Sequence, residues 1–135
     1  MAVTQLPPLA AVVSFVDCIN RGDVAGLGRL MTEDHQLVVL DDPPLVGREA
    51  NLAAWAGYFS GFPLYVVYPR HLAARGAEVA VLGTTTGSHL ALPDAEEQRL
   101  DVLWRAEVTA GRLSRWEVAE PTPEALAAAG IPMGA

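Results

Sequence analysis

Residues 15–59 decide the order of structural elements in this chain, and they read FVDCINRGDVAGLGRLMTEDHQLVVLDDPPLVGREANLAAWAGYF. Apolar residues recur at helical spacing just ahead of this stretch and through its first few residues, which predicts a first helix. Gly22 favours a helix C-terminus, and Asp23 favours the N-cap of a new helix. Two consecutive helices are therefore predicted, the second a short one that runs through Met31.

The rest of the chain changes from helical to strand periodicity. A buried strand is predicted over residues 35–40, and a third helix opens at Gly47. After residue 63 the apolar residues alternate with a period of two, which is typical of strands. The strand candidates are residues 64–68, 77–89, 100–108 and 113–119. Residues 91–98 are predicted to form an exposed loop, and Pro123 opens a short last helix on the outside.

This order predicts a single α+β domain over residues 1–135, shaped like a cone. About three helices would lie on the concave face of a strongly bent, mostly antiparallel sheet. Apolar residues occupy both faces of the strands, as Leu82 and Val81 show on the longest one. Because helices can cover only one face, the sequence predicts a homodimer through the convex face.

The composition narrows the classes of partner. The formal net charge is −7, and all nine basic residues are arginines scattered along the chain. Nucleic acids and anionic membranes need clustered positive charge, so neither is predicted as a partner. The apolar run of residues 9–16 is too short to span a bilayer, and no basic residue precedes Arg21, so a cytoplasmic location is predicted.

The residues that could bind metals are few and dispersed. Cys18 is the only cysteine and is predicted to be a buried, inert thiol. His35, His71 and His89 lie on separate elements without the spacing of a metal site. The sequence therefore predicts neither a metal nor a cofactor.

Strand alternation predicts which residues face the inside of the cone. If Trp116 faces the helices, Val118 and Glu120 share its face. Trp104 on the preceding strand and His89 on the long strand take the same side. The predicted interior is therefore mostly apolar, with His89 and Glu120 as polar exceptions.

His89 and Glu120 are consequently the candidate catalytic residues. A histidine with an ordinary pKa near 6.5 can act as a general acid or base at neutral pH. Glu120 could orient a substrate near the mouth. The alternatives are a rim histidine that contacts water and a solvated glutamate before Pro121. His35 could also point into the cone, although histidines that open strands are usually structural.

Apolar and aromatic side chains are the candidate ligand contacts. Buried tyrosine and tryptophan carry polar groups that need partners, which makes them better candidates than phenylalanine. The predicted ligand-binding set is Phe15, Val39, Trp55, Tyr58, Phe59, Trp104 and Trp116. The predicted partner is therefore an apolar small molecule. The acidic pair at residues 41–42 precedes two prolines and is read as a solvated turn.

Together these segments resemble the nuclear-transport-factor-2-like superfamily, in particular its SnoaL-like and ketosteroid-isomerase-like branch. The likeness is carried by FVDCINRGD at residues 15–23, LMTEDH at 30–35, GREA at 47–50 and GRLSRW at 111–116. The resemblance implies the cone fold and dimers formed through the outer face of the sheet. Functions in the superfamily range from isomerases, polyketide cyclases and epoxide hydrolases to binding domains without catalysis.

The chain departs from the ketosteroid-isomerase pattern at its reactive positions. Phe15 stands where those enzymes have a tyrosine, and Val39 stands where they have an aspartate base. Asp101 approximately matches their second acid, but alternation predicts that its side chain faces away from the pocket. Two hypotheses follow: a binding domain with an apolar cavity, or a small isomerase, cyclase or hydrolase with a histidine acid/base. An open cavity that His89 enters favours the enzyme, and a cone filled by tryptophans favours the binding domain.

Overall fold

A computed structural model describes residues 5–132 and 134 as helices packed on one bent sheet. The helices are α1 (Pro8–Arg21), α2 (Val24–Arg29), α3 (Arg48–Gly61), α4 (Asp94–Glu97) and α5 (Pro123–Ala128). The strands are β1 (Met31–Val39), β2 (Leu45–Val46), β3 (Val66–Arg75), β4 (Glu78–Thr86), β5 (Val102–Thr109) and β6 (Arg112–Ala119). The six strands are ordered β2-β1-β6-β5-β4-β3, and every pair is antiparallel except β1 with β6. The predicted α+β architecture is confirmed.

The junction between the first two helices forms as predicted. Gly22 adopts the left-handed conformation at φ 63°, which ends α1. The Asp23 carboxylate accepts a hydrogen bond from the Gly26 amide at 2.9 Å and caps α2. The prediction that α2 runs through Met31 is wrong, because Arg29 ends it and Met31 already belongs to β1.

The main core lies between the helices and the concave face of the sheet. From α1 it takes Phe15 and Ile19, which are 0% and 1% exposed. The inner sheet face contributes the positions that alternation predicted, namely Val79, Val81, Trp104, Ala106, Val108 and Trp116. The prediction of which residues of β4, β5 and β6 face the helices is therefore correct.

Several strand boundaries differ from the prediction, and the short strand β2 was not predicted. β3 continues through Pro69 to Arg75, so His71 lies within the strand and not at its end. Proline is tolerated there because β3 is an edge strand with a bulge between Pro69 and His71. β1 begins at Met31, earlier than predicted. β4 ends at Thr86 rather than at residue 89.

The segment after β4 was predicted as the end of a strand followed by an exposed loop. Gly87 instead turns the chain with φ 69°, which places His89 in a turn. The loop prediction for residues 91–98 is wrong, because it contains α4 and because Glu97 is only 1% exposed. A four-residue helix has too short a pattern to be recognised by periodicity.

The convex face of the sheet is partly covered by the C-terminal segment. Thr122 caps α5 by accepting a hydrogen bond from the Ala125 amide at 3.1 Å, as the sequence predicts. Ile131 and α5 pack on the outward residues of β4 and β5, which are Ala80, Leu82 and Leu103. Leu82 is the outward residue that the sequence analysis cited for the dimer, and packing within the chain already accounts for its burial.

Candidate functional site

A cavity of about 410 Å³ lies between α3 and the concave face of the sheet. Its wall combines inner-face strand residues with residues from α3 and from the turns after β4 and β6. The lining consists of Leu37, Val39, Leu40, Ala54, Trp55, Tyr58, Tyr65, Thr85, Ser88, His89, Leu90, Asp101, Val102, Trp104, Trp116, Val118, Ala119, Glu120 and Pro121. Exposed Leu40, Leu90 and Glu120 belong to this lining, so the cone opens to solvent on their side.

Three tryptophans belong to the cavity lining and do not fill the cavity: Trp55, Trp104 and Trp116 are 8%, 2% and 1% exposed. The rings of Trp104 and Trp116 stack with centroids 6.2 Å apart and planes inclined by 20°. Trp55 faces them from α3, and its indole Nε1 is buried without a hydrogen-bond partner among the described residues. Such a donor gains a partner if a ligand presents an acceptor to it.

Tyr58 and His89 form a hydrogen-bonded pair in the cavity wall. The Tyr58 hydroxyl lies 2.9 Å from Nδ1 of His89 and accepts a hydrogen bond from the His89 backbone amide at 3.2 Å. Burial raises the pKa of Tyr58, more than the bond to His89 lowers it, so the phenol stays protonated at neutral pH. The pair therefore joins a neutral phenol to a histidine that is exposed to solvent, so His89 lies at the rim of the cavity, as the alternative of a rim histidine expected.

A second polar pair lies on the same side of the cavity and escaped the sequence analysis. The Thr85 hydroxyl donates a hydrogen bond to Oε2 of Glu97. Burial raises the pKa of Tyr65, and the nearby Glu97 carboxylate adds to this rise. The signal in the sequence was Pro93 ahead of an acidic run, which suits the start of a short helix, and it could not show that Glu97 turns inward.

Two carboxylates lie at the mouth of the cavity. Asp101 was predicted to face away, yet it belongs to the lining because β5 begins only at Val102 and alternation does not extend to it. Its two oxygens accept hydrogen bonds from the Arg70 guanidinium, both at 3.0 Å. This ion pair occupies the Asp101 carboxylate, whereas Glu120 forms no ion pair with another described residue.

The match to a protein family covers most of the chain. Residues 12–116 fit the family model of the SnoaL-like domain. The chain belongs to the SnoaL-like family. This confirms the resemblance that its segments carry, and it places the cavity described above inside a SnoaL-like domain.

Solved structures agree with this fold. An uncharacterised cystatin-fold protein from Novosphingobium aromaticivorans superposes with TM-score 0.73 at 19% identity, covering 84% of this chain and 98% of its own. A SnoaL-like protein from Jannaschia sp. CCS1, with a provisional polyketide-cyclase name, gives TM-score 0.68 at 19% identity and covers 97% and 99%. An epoxide hydrolase from M. tuberculosis gives TM-score 0.64 at 15% identity and covers 83% and 80%. At these identities the likeness shows the fold alone.

No protein of curated function matches the sequence of this SnoaL-like domain. Among the described residues, no cluster of histidine, cysteine or acidic side chains could hold a metal ion. No helix in the described part of the chain is long and apolar enough to cross a membrane.

His35 serves the framework of the SnoaL-like domain and lies outside the cavity lining. It is fully buried, and its Nδ1 lies 2.6 Å from the Leu113 carbonyl oxygen on β6. Burial lowers its pKa, more than the bond to the Leu113 carbonyl raises it. The backbone carbonyl of His35 accepts hydrogen bonds from the Gly47 amide at 2.9 Å and the Asn51 side chain at 3.1 Å. His35 therefore joins β1 to β6 and to the start of α3.

Two of the predicted ligand contacts also lie outside the lining. Phe15 packs behind Trp116 with ring centroids 5.0 Å apart, and Phe59 packs against Trp55 at 5.4 Å. Both come from faces of α1 and α3 that turn toward the core. The cavity lining does contain Val39, Trp55, Tyr58, Trp104 and Trp116, together with His89 and Glu120.

Proposed function

We propose that this SnoaL-like domain binds an apolar, ring-containing small molecule in its cone and acts on it by acid–base catalysis through His89. The observation that carries the proposal is the open, mostly apolar cavity with the Tyr58–His89 pair in its lining. The alternative is a binding domain without catalysis. A cone filled by its tryptophans would have favoured that alternative, and the cavity is open.

The size and chemistry of the cavity support a small organic ligand. Ligand pockets are mostly apolar clefts of roughly 300–1,000 Å³ with a few polar groups that fix orientation. The cavity of about 410 Å³ falls in the lower part of this range. Leu37, Val39 and Val118 of the lining are half-buried and present apolar surface that suits a ring system, whereas Trp104 and Trp116 are only 2% and 1% exposed.

The Tyr58–His89 pair supports both directions of proton transfer. In the imidazolium form both ring nitrogens carry protons, so Nδ1 donates to the Tyr58 oxygen and Nε2 can release its proton as an acid. When Nδ1 carries the proton and donates to the Tyr58 oxygen, Nε2 has a free lone pair and can act as a base. Because Nδ1 carries a proton in both states, the Tyr58 oxygen accepts from it in each and holds the imidazole in one orientation.

The names of structural neighbours suggest the reaction classes to test. They include an epoxide hydrolase and, provisionally, polyketide cyclases and a ketosteroid isomerase. Each class of reaction moves protons on a small organic substrate, which a positioned histidine can assist. The proton abstraction of ketosteroid isomerases is the least supported, because Phe15 and Val39 replace the tyrosine and the aspartate base of that pattern.

Binding in the cone can be tested by filling it. Ala54 is exposed on α3 and lines the cavity, whereas neighbouring Ala53 is exposed and does not. We expect wild type to bind Nile red, a neutral polycyclic dye, and Ala54→Trp to weaken that binding at least tenfold. Ala53→Trp is the matched control and should bind like wild type. Equal dye binding by all three proteins would place the ligand elsewhere and refute the proposal.

We still propose a homodimer through the convex face, but the argument now rests on its charged residues and not on exposed apolar ones. With Ala80 and Leu82 covered, the rest of that face carries ion pairs, among them Arg105 with Glu117 at 3.0 Å and Arg115 with Glu78 at 3.4 Å. A face that bears both signs of charge can pair with a second copy of itself. The cytoplasmic location likewise remains a prediction from composition.

A further inference from the structure

A buried carboxylate lies directly behind one residue of the cavity wall. Thr85 lines the cavity and is 6% exposed, whereas Glu97 is 1% exposed and lies outside the lining. The Thr85 hydroxyl donates to Oε2 of Glu97, and Oε1 of the same carboxylate is buried without a hydrogen-bond partner among the described residues. None of the ion pairs between described residues includes Glu97. A buried polar group left in this state calls for an explanation.

The direction of this hydrogen bond fixes what Thr85 can offer a ligand. A threonine hydroxyl has one proton and two acceptor lone pairs. Since the hydroxyl proton is engaged in the hydrogen bond to Glu97, the Thr85 oxygen can offer only a lone pair to the cavity. Glu97 itself lies behind the wall, so Thr85 is the acceptor that the pair presents to the cavity. This acceptor would gain from a donor on the ligand.

We propose that Thr85, oriented by Glu97, forms a hydrogen-bond acceptor in the cavity wall, and that the natural ligand is a ring compound with a hydroxyl group that donates to it. Thr85 is then the contact residue, and Glu97 is a positioning residue that keeps the threonine proton turned away from the ligand. This inference rests on the proposed function, because it assumes that the same cavity holds the ligand.

The proposal predicts a preference between two ligands of one shape. A hydroxylated ring satisfies the Thr85 acceptor, whereas a methyl ether of the same ring brings a second acceptor against it and leaves both unsatisfied. A buried polar group without a partner costs about 1–3 kcal/mol, so the preference should be roughly 10- to 100-fold.

The probes are 2-naphthol and 2-methoxynaphthalene, titrated calorimetrically into the full chain near neutral pH. We expect wild type to bind 2-naphthol at least tenfold more tightly. Thr85→Val keeps the side-chain shape and removes the hydroxyl, so the preference should fall to within about threefold. Thr86→Val is the matched control, because Thr86 is 5% exposed, lies outside the lining and bonds the Tyr68 hydroxyl at 3.0 Å. It should keep the wild-type preference.

Two variants of Glu97 separate positioning from a purely structural role. Glu97→Leu removes the acceptor, so the Thr85 proton becomes free to donate to the ether oxygen, and the preference should shrink or reverse. Glu97→Gln keeps a carbonyl acceptor and should retain most of the preference. A purely structural role would weaken binding of both probes by the same factor and leave their ratio unchanged.

The outcomes distinguish this inference from the proposed function. If both probes bind wild type equally and Ala54→Trp blocks both, the cavity binds ligands and only the Thr85–Glu97 inference is overturned. A preference that survives Thr85→Val also overturns it. If neither probe binds, or if Ala54→Trp has no effect on either, the proposed function fails and this inference fails with it. Should Glu97→Leu not fold, Thr85→Val and Glu97→Gln still decide the question.

Discussion

The Tyr58 hydroxyl on α3 bonds both the imidazole and the backbone amide of His89, at 2.9 and 3.2 Å. One side chain thus fixes the position and the ring orientation of a residue that lies in a turn and not in a strand. Ser88 is buried beside it, at 8% exposure, and its hydroxyl accepts a hydrogen bond from the Leu90 amide at 3.2 Å. The turn after β4 is therefore an ordered part of the cavity wall.

Replacing Tyr58 by phenylalanine should loosen this turn. The His89 amide would lose its acceptor, so its hydrogen exchange should accelerate roughly tenfold, which corresponds to the loss of one hydrogen bond. Tyr68→Phe is the matched control, because its hydroxyl bonds Thr86 at 3.0 Å and not the turn. Exchange at His89 that is equally slow in wild type and Tyr58→Phe would show that the bond does not hold the turn.

His89 should be required for turnover by the proposed enzyme. Once a substrate is found among cyclic epoxides, polyketide esters or unsaturated ketones, His89→Gln should lower kcat/KM by roughly 10² or more, because general acid–base assistance is worth about 10²–10⁴. His71→Gln replaces a histidine on β3 outside the lining and should retain wild-type activity. Unchanged turnover in His89→Gln, with the fold intact, would favour a binding domain without catalysis.

Protonation of His35 should destabilise the fold. Its pKa is lowered from 6.5 by burial, so the unfolded chain binds more protons than the folded one between the two pKa values. The stability that this neutral imidazole contributes is complete above pH 6.5 and is lost as the pH falls toward the lower folded-state pKa. Urea unfolding at several pH values should show this loss in wild type and a flatter dependence in His35→Gln. Parallel curves for the two proteins would contradict the prediction.

Asn20 should stabilise the attachment of β3 to α1. Its side chain donates to the Val67 carbonyl at 3.0 Å and accepts from the Val67 amide at 2.8 Å, so it acts like a neighbouring strand. Asn20→Ala leaves both groups of buried Val67 without a partner and should lower the free energy of unfolding by about 1–3 kcal/mol. Asn20→Asp keeps only the acceptor and should have an intermediate effect. Denaturant midpoints measure both, and a neutral Asn20→Ala would refute the prediction.

Dimerisation, if it uses the ion-paired convex face, should depend on salt. Exposed charge pairs are screened within a Debye length of about 8 Å at physiological ionic strength and about 3 Å at 1 M. Sedimentation at micromolar concentration should therefore give a dimer at low salt and more monomer at high salt. A clean monomer in dilute buffer would contradict the dimer, and a dimer indifferent to salt would point to another face.

Local patterns in the sequence were sufficient for the order of the longer elements and for the inward faces of the strands, but they missed the short β2 and α4. Gly22 and Asp23 marked the boundary between helices because their preferences act within a few residues. Alternation placed Trp104 and Trp116 on the concave face because side chains of a strand point to opposite sides in turn. It failed at Asp101, where the strand had not yet begun.

What the sequence by itself determined is the cone and the apolar character of its interior, since both follow from periodicity and capping. Only the tertiary structure decided the polar part of the site. Tyr58 and His89 are separated by 31 residues along the chain, and Thr85 and Glu97 by 12. Each pair joins elements that meet only after the sheet bends and the turn after β4 closes, and a four-residue helix gives no periodic sign that Glu97 is buried. Contacts of this kind depend on packing between distant segments, which no local pattern encodes.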